Sequence, residues 1–214
     1  MPKTTALVFD LDGTLIDSLP SIHAAVNAVM DDFSVVRLGI DQVRDFIGYG
    51  APHLITKVCA LRNISDKEIA LNRLLKHYDR AHTLTRPYAH VIETLQHLDL
   101  KGYKLGLCTN KPAAATETAL IHNGLSGFFN TIISGDSMAQ RKPAKEPLLA
   151  IANALNADRI FFIGDSEIDA ETAKAADIPF ILFQEGYLHI DIKDINKVAV
   201  FDNYKKLPEL LTRI

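Results

Sequence analysis

Cysteine occurs only twice in this chain, at Cys59 and Cys108, both within apolar segments and without metal-ligand spacing. Both read as buried free thiols, so cysteine chemistry leaves the list of candidate functions. No apolar stretch approaches the roughly 20 residues that a bilayer span requires. The amino terminus, MPKTTALVFD, carries one Lys and then a strand too short for a signal-peptide core, so the protein is expected to stay in the cytoplasm. Basic residues number 23 and form no run; against 26 acidic residues they leave a formal net charge of -3. That balance implies no nucleic acid and no anionic membrane as partner. Internal repeats, low-complexity stretches and long linkers are absent as well.

What the chain does have is length and apolar content: 214 residues, 48% hydrophobic and 23% charged, enough for one well-buried domain plus a smaller appendage. After about residue 84, apolar runs alternate with helical patterns, which marks repeated strand-helix units and a parallel sheet. Strands are expected at Ala6–Phe9, Lys104–Cys108, Thr131–Ser134, Ile160–Ile163 and Phe180–Phe183, with Val198–Val200 as an edge. Helices are expected near Val91–Leu98, Ala113–Asn123, Pro147–Leu155 and Ile168–Ala176. Residues 18–82 differ, with apolar positions at helical spacing (Ile22, Ala25, Val26, Val29; Leu71, Leu74, Leu75) and no convincing strand. The expected architecture is α/β: a Rossmann-like parallel-sheet core over 1–17 and 83–214, with a helical insertion after the first strand over 18–82.

The first strand ends abruptly, in VFDLDGTLID, where two aspartates one residue apart follow a continuously apolar run. Asp and Gly are ordinary turn formers, but ligands of open parallel sheets gather at the carboxyl ends of such strands, where Asp10 and Asp12 fall. Two carboxylates about 4 Å apart repel by roughly 4 kcal/mol at an effective dielectric near 20, so a site that keeps both ionised supplies a cation or a proton. Other strand ends add suitable groups. Lys104–Cys108 runs into Thr109, Asn110 and Lys111; Ile160–Ile163 runs into Gly164-Asp165-Ser166-Glu167-Ile168-Asp169; Arg141-Lys142-Pro143 precedes a helix. Taken singly, Thr109 can cap a helix and Asp169 can favour a helix amino terminus. Together they put acids, a hydroxyl and a lysine on one edge of one sheet.

Asp10 and Asp165 are hard oxygen ligands suited to a small divalent cation, and Mg²⁺ characteristically takes a few carboxylates together with waters and a substrate phosphate. With Lys142 neutralising a phosphoryl group and Thr109 holding its oxygens, Asp10 has the chemistry to attack phosphorus in line. Asp12 has the chemistry to protonate the leaving alcohol and later to activate water. Lys145 is a rival to Lys142, but only Lys142 is followed by proline, and Lys145 reads as a solvated helix-start residue.

Asp10-Leu-Asp12-Gly13-Thr14, Thr109-Asn110, Lys142-Pro143 and Gly164-Asp165 with Asp169 resemble, in order, the four motifs of the haloacid dehalogenase superfamily. DLDGTLIDSLPSI, FIGYGAPHLI, RPYAHVIETL, TNK, RKP and GDSEIDAETAKAA are similar to its phosphoglycolate phosphatase-like members, with Ala89-His90 where that group usually has Pro-Gly. The resemblance implies a Rossmann-like core with a helical cap, an aspartyl-phosphate intermediate and dependence on Mg²⁺. It implies Asp10 as nucleophile, Asp12 as general acid/base that also lends its backbone carbonyl to the metal, Thr109 and Lys142 as phosphoryl binders, Asp165 as metal ligand and Asp169 as a residue orienting the metal or its waters. Gly13, Thr14, Asn110 and Lys111 of the same motifs are expected on the substrate, and Tyr49 of the Gly48-Tyr49-Gly50 cap loop is expected to touch the leaving group.

The presence of Asp12 argues against a dehalogenase, Ile22 stands where a sugar phosphomutase of this type would want a His, and no cap lysine suits a phosphonatase. The expected activity is hydrolysis of a small phosphorylated metabolite, with 2-phosphoglycolate first. Inorganic pyrophosphate and sugar or nucleotide phosphates are the alternatives, ahead of a non-catalytic binding module. Oligomeric state is left open.

Overall fold

A computed structural model of the chain describes residues 4–214. Its centre is β1 (Thr5–Phe9), whose Ala6, Leu7, Val8 and Phe9 are wholly buried. Successive side chains of a strand point to opposite faces, so a strand with no polar alternation must be covered on both. β1 pairs in parallel with β4 (Lys104–Cys108) on one side and β6 (Arg159–Gly164) on the other. β5 (Thr131–Ile133), β7 (Phe180–Phe183) and β8 (Ala199–Phe201) complete a six-stranded parallel sheet in the order β5-β4-β1-β6-β7-β8.

The two faces of β1 seed two cores. Leu7 and Phe9 pack with Leu95 and Leu98 of α5 (Val91–Leu100), Leu120 of α6 (Ala113–His122) and Leu207 of α9 (Leu207–Leu211). Ala6 and Val8 pack with Leu148 and Ile151 of α7 (Glu146–Leu155) and Ala173 of α8 (Glu167–Ala176). At roughly 1.5–3 kcal/mol for each fully buried large aliphatic or aromatic side chain, these cores supply the rigidity that the strand ends need.

The insertion forms α1 (Leu19–Asp32), α2 (Ile40–Arg44), α3 (Ala51–Arg62) and α4 (Lys67–Ala81). Ile22, Val26, Met30, Leu54, Val58 and Leu74 close a third apolar cluster among these helices, separate from those of the sheet. Where the chain leaves and re-enters the core, β2 (Ile16–Asp17) and β3 (Arg86–Pro87) pair antiparallel, Ile16 opposite Pro87 and Asp17 opposite Arg86. Two-residue strands carry no periodicity, and the sequence pattern misses this clasp. The short α9 has no expected counterpart; the strands of the main sheet and the other core helices lie within one or two residues of the expected spans, and both cysteines are buried and free.

His189, after β7, ties the core to the insertion. Its Nδ1 lies 3.0 Å from a Glu167 carboxylate oxygen and its Nε2 lies 3.2 Å from the carbonyl of Arg44, the last residue of α2. Two acceptors at two ring nitrogens are both satisfied only by the imidazolium. The His189 pKa is raised above its ordinary 6.5, first by the hydrogen bond to Glu167 and further by Asp45 nearby, against the opposing effect of burial. Stability from this link is therefore complete below the unfolded value and lost as pH rises through the raised folded one. The Tm difference between the wild type and His189→Gln should accordingly shrink between about pH 6 and pH 9. A difference that stays constant over that range contradicts the link.

Candidate active site

β1 delivers Asp10 and, through the turn behind it, Asp12; β4 delivers Thr109, Asn110 and Lys111; β6 delivers Asp165. All three strands are parallel neighbours, so their carboxyl ends open on one edge. There Asp10, Asp165 and Asp169 each present an oxygen, all within 4.8 Å of one another and all buried. Lys142, only 4% exposed, reaches into this group with its ammonium 2.8 Å from Asp10 and 2.6 Å from Asp169. Lys145 is exposed at the start of α7, as its solvated reading expects.

Asp165 is held at both oxygens: the Thr14 hydroxyl donates at 2.6 Å and the Tyr187 backbone N–H at 2.7 Å. Asp169 has two tasks. One oxygen accepts from Lys142, while the other accepts from the Ser166 hydroxyl at 2.6 Å and from the backbone N–H groups of Asp165 and Ser166. Ser166 in turn accepts from the Asp169 N–H, which closes a capping box on α8. The helix-start role and the site role of Asp169 coexist in one carboxylate.

The electrostatics are out of balance. Three carboxylates face one ammonium, a formal excess of two negative charges in a buried place. Burial, only partly offset by Lys142, pushes the Asp10 carboxyl up to about 7. Burial, with Asp169 and Asp10 adding to it, holds the Asp165 carboxyl well above the usual carboxylate range. Lys142 moves upward too: burial alone would lower it, but Asp10 and Asp169 outweigh that. Hard oxygen donors, close spacing and a charge deficit of two are what a small divalent cation fits. Asp10, Asp165 and Asp169 are the residues with the geometry to hold it.

Asp12 stands outside this cluster. Its carboxylate pairs with the Lys111 ammonium at 2.9 Å, and that ammonium sits 5.3 Å from the centre of the Tyr78 ring of α4. Asp10, Asp12, Thr109 and Lys111 form one side of a cavity of ≈ 40 Å³, and Ile22, Phe46, Leu54 and Tyr78 from the insertion form the other.

Several residues expected on the substrate have other duties. The Thr14 side chain is fully buried and spent on Asp165. Gly13 holds φ +87, its N–H donates to the Ile16 carbonyl, and a Cβ there would lie 2.3 Å from Asp165. The Asn110 amide lines the cavity but donates to the Gly48 and Lys142 carbonyls and accepts the Lys142 N–H, joining the cap loop to the lysine segment. Gly48 and Gly50 adopt positive φ and border the cavity, as the paired glycines suggest. Tyr49 between them does not: it is 40% exposed and its ring stacks on His53 at 4.7 Å. Tyr78 of α4 lines the cavity instead, and α4 carries no motif that marks it.

Comparison with known proteins decides the family. The haloacid dehalogenase-like hydrolases match over residues 7–183. The chain belongs to that family. Within it, this haloacid dehalogenase-like hydrolase is similar over nearly its whole length to proteins named phosphoglycolate phosphatase. One from Cereibacter sphaeroides is 41% identical over 213 residues, covering 97% of this chain and 98% of the relative. One from Rhodobacter capsulatus is 37% identical, covering 96% of each. The fold matches the crystal structure of a predicted phosphoglycolate phosphatase from Haemophilus somnus with a TM-score of 0.90, at 25% identity and 99% of each chain covered.

Two substitutions separate the roles assigned by this geometry. Gly13→Ala forces a Cβ onto Asp165 and should cut activity by about 10²-fold or more through misplacement of that carboxylate. Tyr49→Ala, with the ring outside the cavity, should leave the ranking of phosphomonoesters by kcat/KM unchanged. A Gly13→Ala enzyme of full activity, or a reordered ranking in Tyr49→Ala, contradicts the placement.

Proposed function

We propose that this chain hydrolyses 2-phosphoglycolate to glycolate and inorganic phosphate through a phosphoryl group carried on Asp10, with Mg²⁺ as cofactor. The observation that carries the reading is the separation of the two aspartates into different surroundings. Asp10 lies in the buried cluster against Lys142, whereas Asp12 lies on the cavity side against Lys111. A nucleophile and an acid/base from the same residue type need such a difference.

Asp10 attacks phosphorus in line, while Lys142 and the Thr109 hydroxyl hold the phosphoryl oxygens. Asp12 gives its proton to the departing oxygen of glycolate. After glycolate leaves, Asp12 takes a proton from water, which attacks phosphorus and returns Asp10 as a free carboxylate. Mg²⁺ held by Asp10, Asp165 and Asp169, with the Asp12 backbone carbonyl, would supply the positive charge that keeps these carboxylates ionised and withdraws charge from the phosphoryl oxygens.

Two features favour a small acidic substrate. The cavity of ≈ 40 Å³ has room for roughly three or four waters, at about 10–15 Å³ each, which suits a leaving group of a few heavy atoms. Lys111 puts an ammonium on the leaving-group side, where the carboxylate of glycolate would meet it. Ile22, apolar and cavity-lining, offers no proton relay for a phosphomutase. The names of the relatives point the same way.

The test is a panel of phosphomonoesters with pyrophosphate included, ranked by kcat/KM in the presence of Mg²⁺. 2-Phosphoglycolate should lead, EDTA should abolish turnover and added Mg²⁺ should restore it. Asp10→Asn should lose at least about 10³-fold, more than about 4 kcal/mol of transition-state stabilisation. A sugar phosphate or pyrophosphate at the head of the ranking overturns the substrate, and an active Asp10→Asn overturns the mechanism.

A further inference from the structure

Tyr187 belongs to the loop after β7, yet its ring is buried among the residues of the helical insertion. Its backbone N–H donates to Asp165 at 2.7 Å. The other end of the residue reaches the hinge. The phenol oxygen accepts from the N–H groups of Ser18 and Leu19 at 2.8 and 2.9 Å and donates to the Asp17 carboxylate at 2.8 Å. These are the amides of the residue that precedes α1 and of its first residue, and Asp17 lies in the β2–β3 clasp.

The hinge is built to need this phenol. Ser18 is the residue that would ordinarily cap α1, since a serine hydroxyl accepts from the amides one turn on. Here it makes no capping bond, and its Oγ is buried without a partner. The amides of Ser18 and Leu19 are met instead by a hydroxyl 169 and 168 residues away in sequence. At the other end, Gly186 brings the loop so close that a Cβ would lie 2.3 Å from that of Asp165 and 2.4 Å from the Gly13 carbonyl. One side chain and its own amide thus span from a site carboxylate to the start of the cap.

We propose that Tyr187 is a positioning residue that couples the carboxylate of Asp165 to the orientation of the cap, so that loading the acidic cluster and ordering the hinge favour one another. The proposal rests on the reading of Asp165 as a metal ligand. Linkage makes the coupling reciprocal: what steadies Asp165 steadies the Ser18 and Leu19 amides, and loss of the phenol bonds loosens Asp165.

The test uses Mg²⁺ alone, without substrate, and so does not depend on which phosphomonoester is turned over. In the wild type, Mg²⁺ should slow hydrogen exchange over residues 16–22. In Tyr187→Phe the ring and the Asp165 contact remain, but the exchange response should vanish. The calorimetric Mg²⁺ Kd should rise by about 10-fold, the lower end of what loss of an outer support of a metal ligand costs. Asp17→Ala, which removes the acceptor of the phenol together with a second acceptor of the Leu19 N–H, should weaken the response in the same direction and serves if Tyr187→Phe does not fold. Ser18→Ala should change neither readout. An undiminished response in Tyr187→Phe, or loss of the response in Ser18→Ala, overturns the proposal. A wild type that binds Mg²⁺ without any change at residues 16–22 overturns it while leaving the metal site intact. A wild type that binds no Mg²⁺ overturns the metal reading and the proposal with it.

Discussion

Three buried carboxylates stand together with a single lysine that pairs with two of them, and the rest of the site follows from that imbalance. Asp10, Asp165 and Asp169 lie within 4.8 Å of one another, and Lys142 answers only part of their charge. Such a cluster persists only where the surrounding fold over-determines it, and a bound cation would relieve its excess charge. The over-determination is visible: Thr14 and Tyr187 hold Asp165, Ser166 and two backbone amides hold Asp169, and the β1 and β6 strands that carry Asp10 and Asp165 are hydrogen-bonded neighbours inside a fully covered sheet. With Lys142 alone to offset burial, the Asp10 carboxyl is pushed up to about 7, and in the proposed mechanism the cation would keep it ionised for attack.

The helical insertion is joined to this cluster at several points rather than standing over it passively. Asn110 spends its amide on Gly48 of the cap loop and on the Lys142 segment, Tyr187 links Asp165 to the start of α1, and His189 links Glu167 to the end of α2. Each link starts from a loop at the carboxyl edge of the sheet, where the site is. The cap and the site are therefore joined by direct hydrogen bonds, and the small cavity between them bounds what can occupy it.

Much of this was legible in the sequence, and the reason is local. A buried parallel strand advertises itself by an uninterrupted apolar run, and a polar group at its carboxyl end can be read with it. Asp10, Thr109 and Asp165 were found in this way, and Lys142 was separated from Lys145 by the proline that follows it. What was not legible depends on contacts distant in sequence. The hydroxyl of Thr14 reaches Asp165 across 151 residues, and Lys111 reaches Asp12 across 99. A tyrosine between two glycines, Tyr49, looks placed for a ligand, whereas Tyr78 in the middle of an amphipathic helix looks like packing; helix orientation reverses the two. The β2–β3 clasp is too short to leave a pattern, and nothing local marks the tyrosine that meets the Ser18 and Leu19 amides at the start of α1.

The central claim is that two aspartates one residue apart divide the reaction between them, Asp10 forming the bond to phosphorus and Asp12 moving the protons. Intact-mass measurement of Asp12→Asn, quenched after mixing with Mg²⁺ and p-nitrophenyl phosphate, whose leaving group departs without a proton, and followed by peptide mapping, tests this most directly. The account predicts one phosphate per chain, carried on Asp10 and slow to hydrolyse because the water-activating base is gone. Turnover by that variant with no phosphorylated protein, or a phosphate mapped to any other residue, would contradict it.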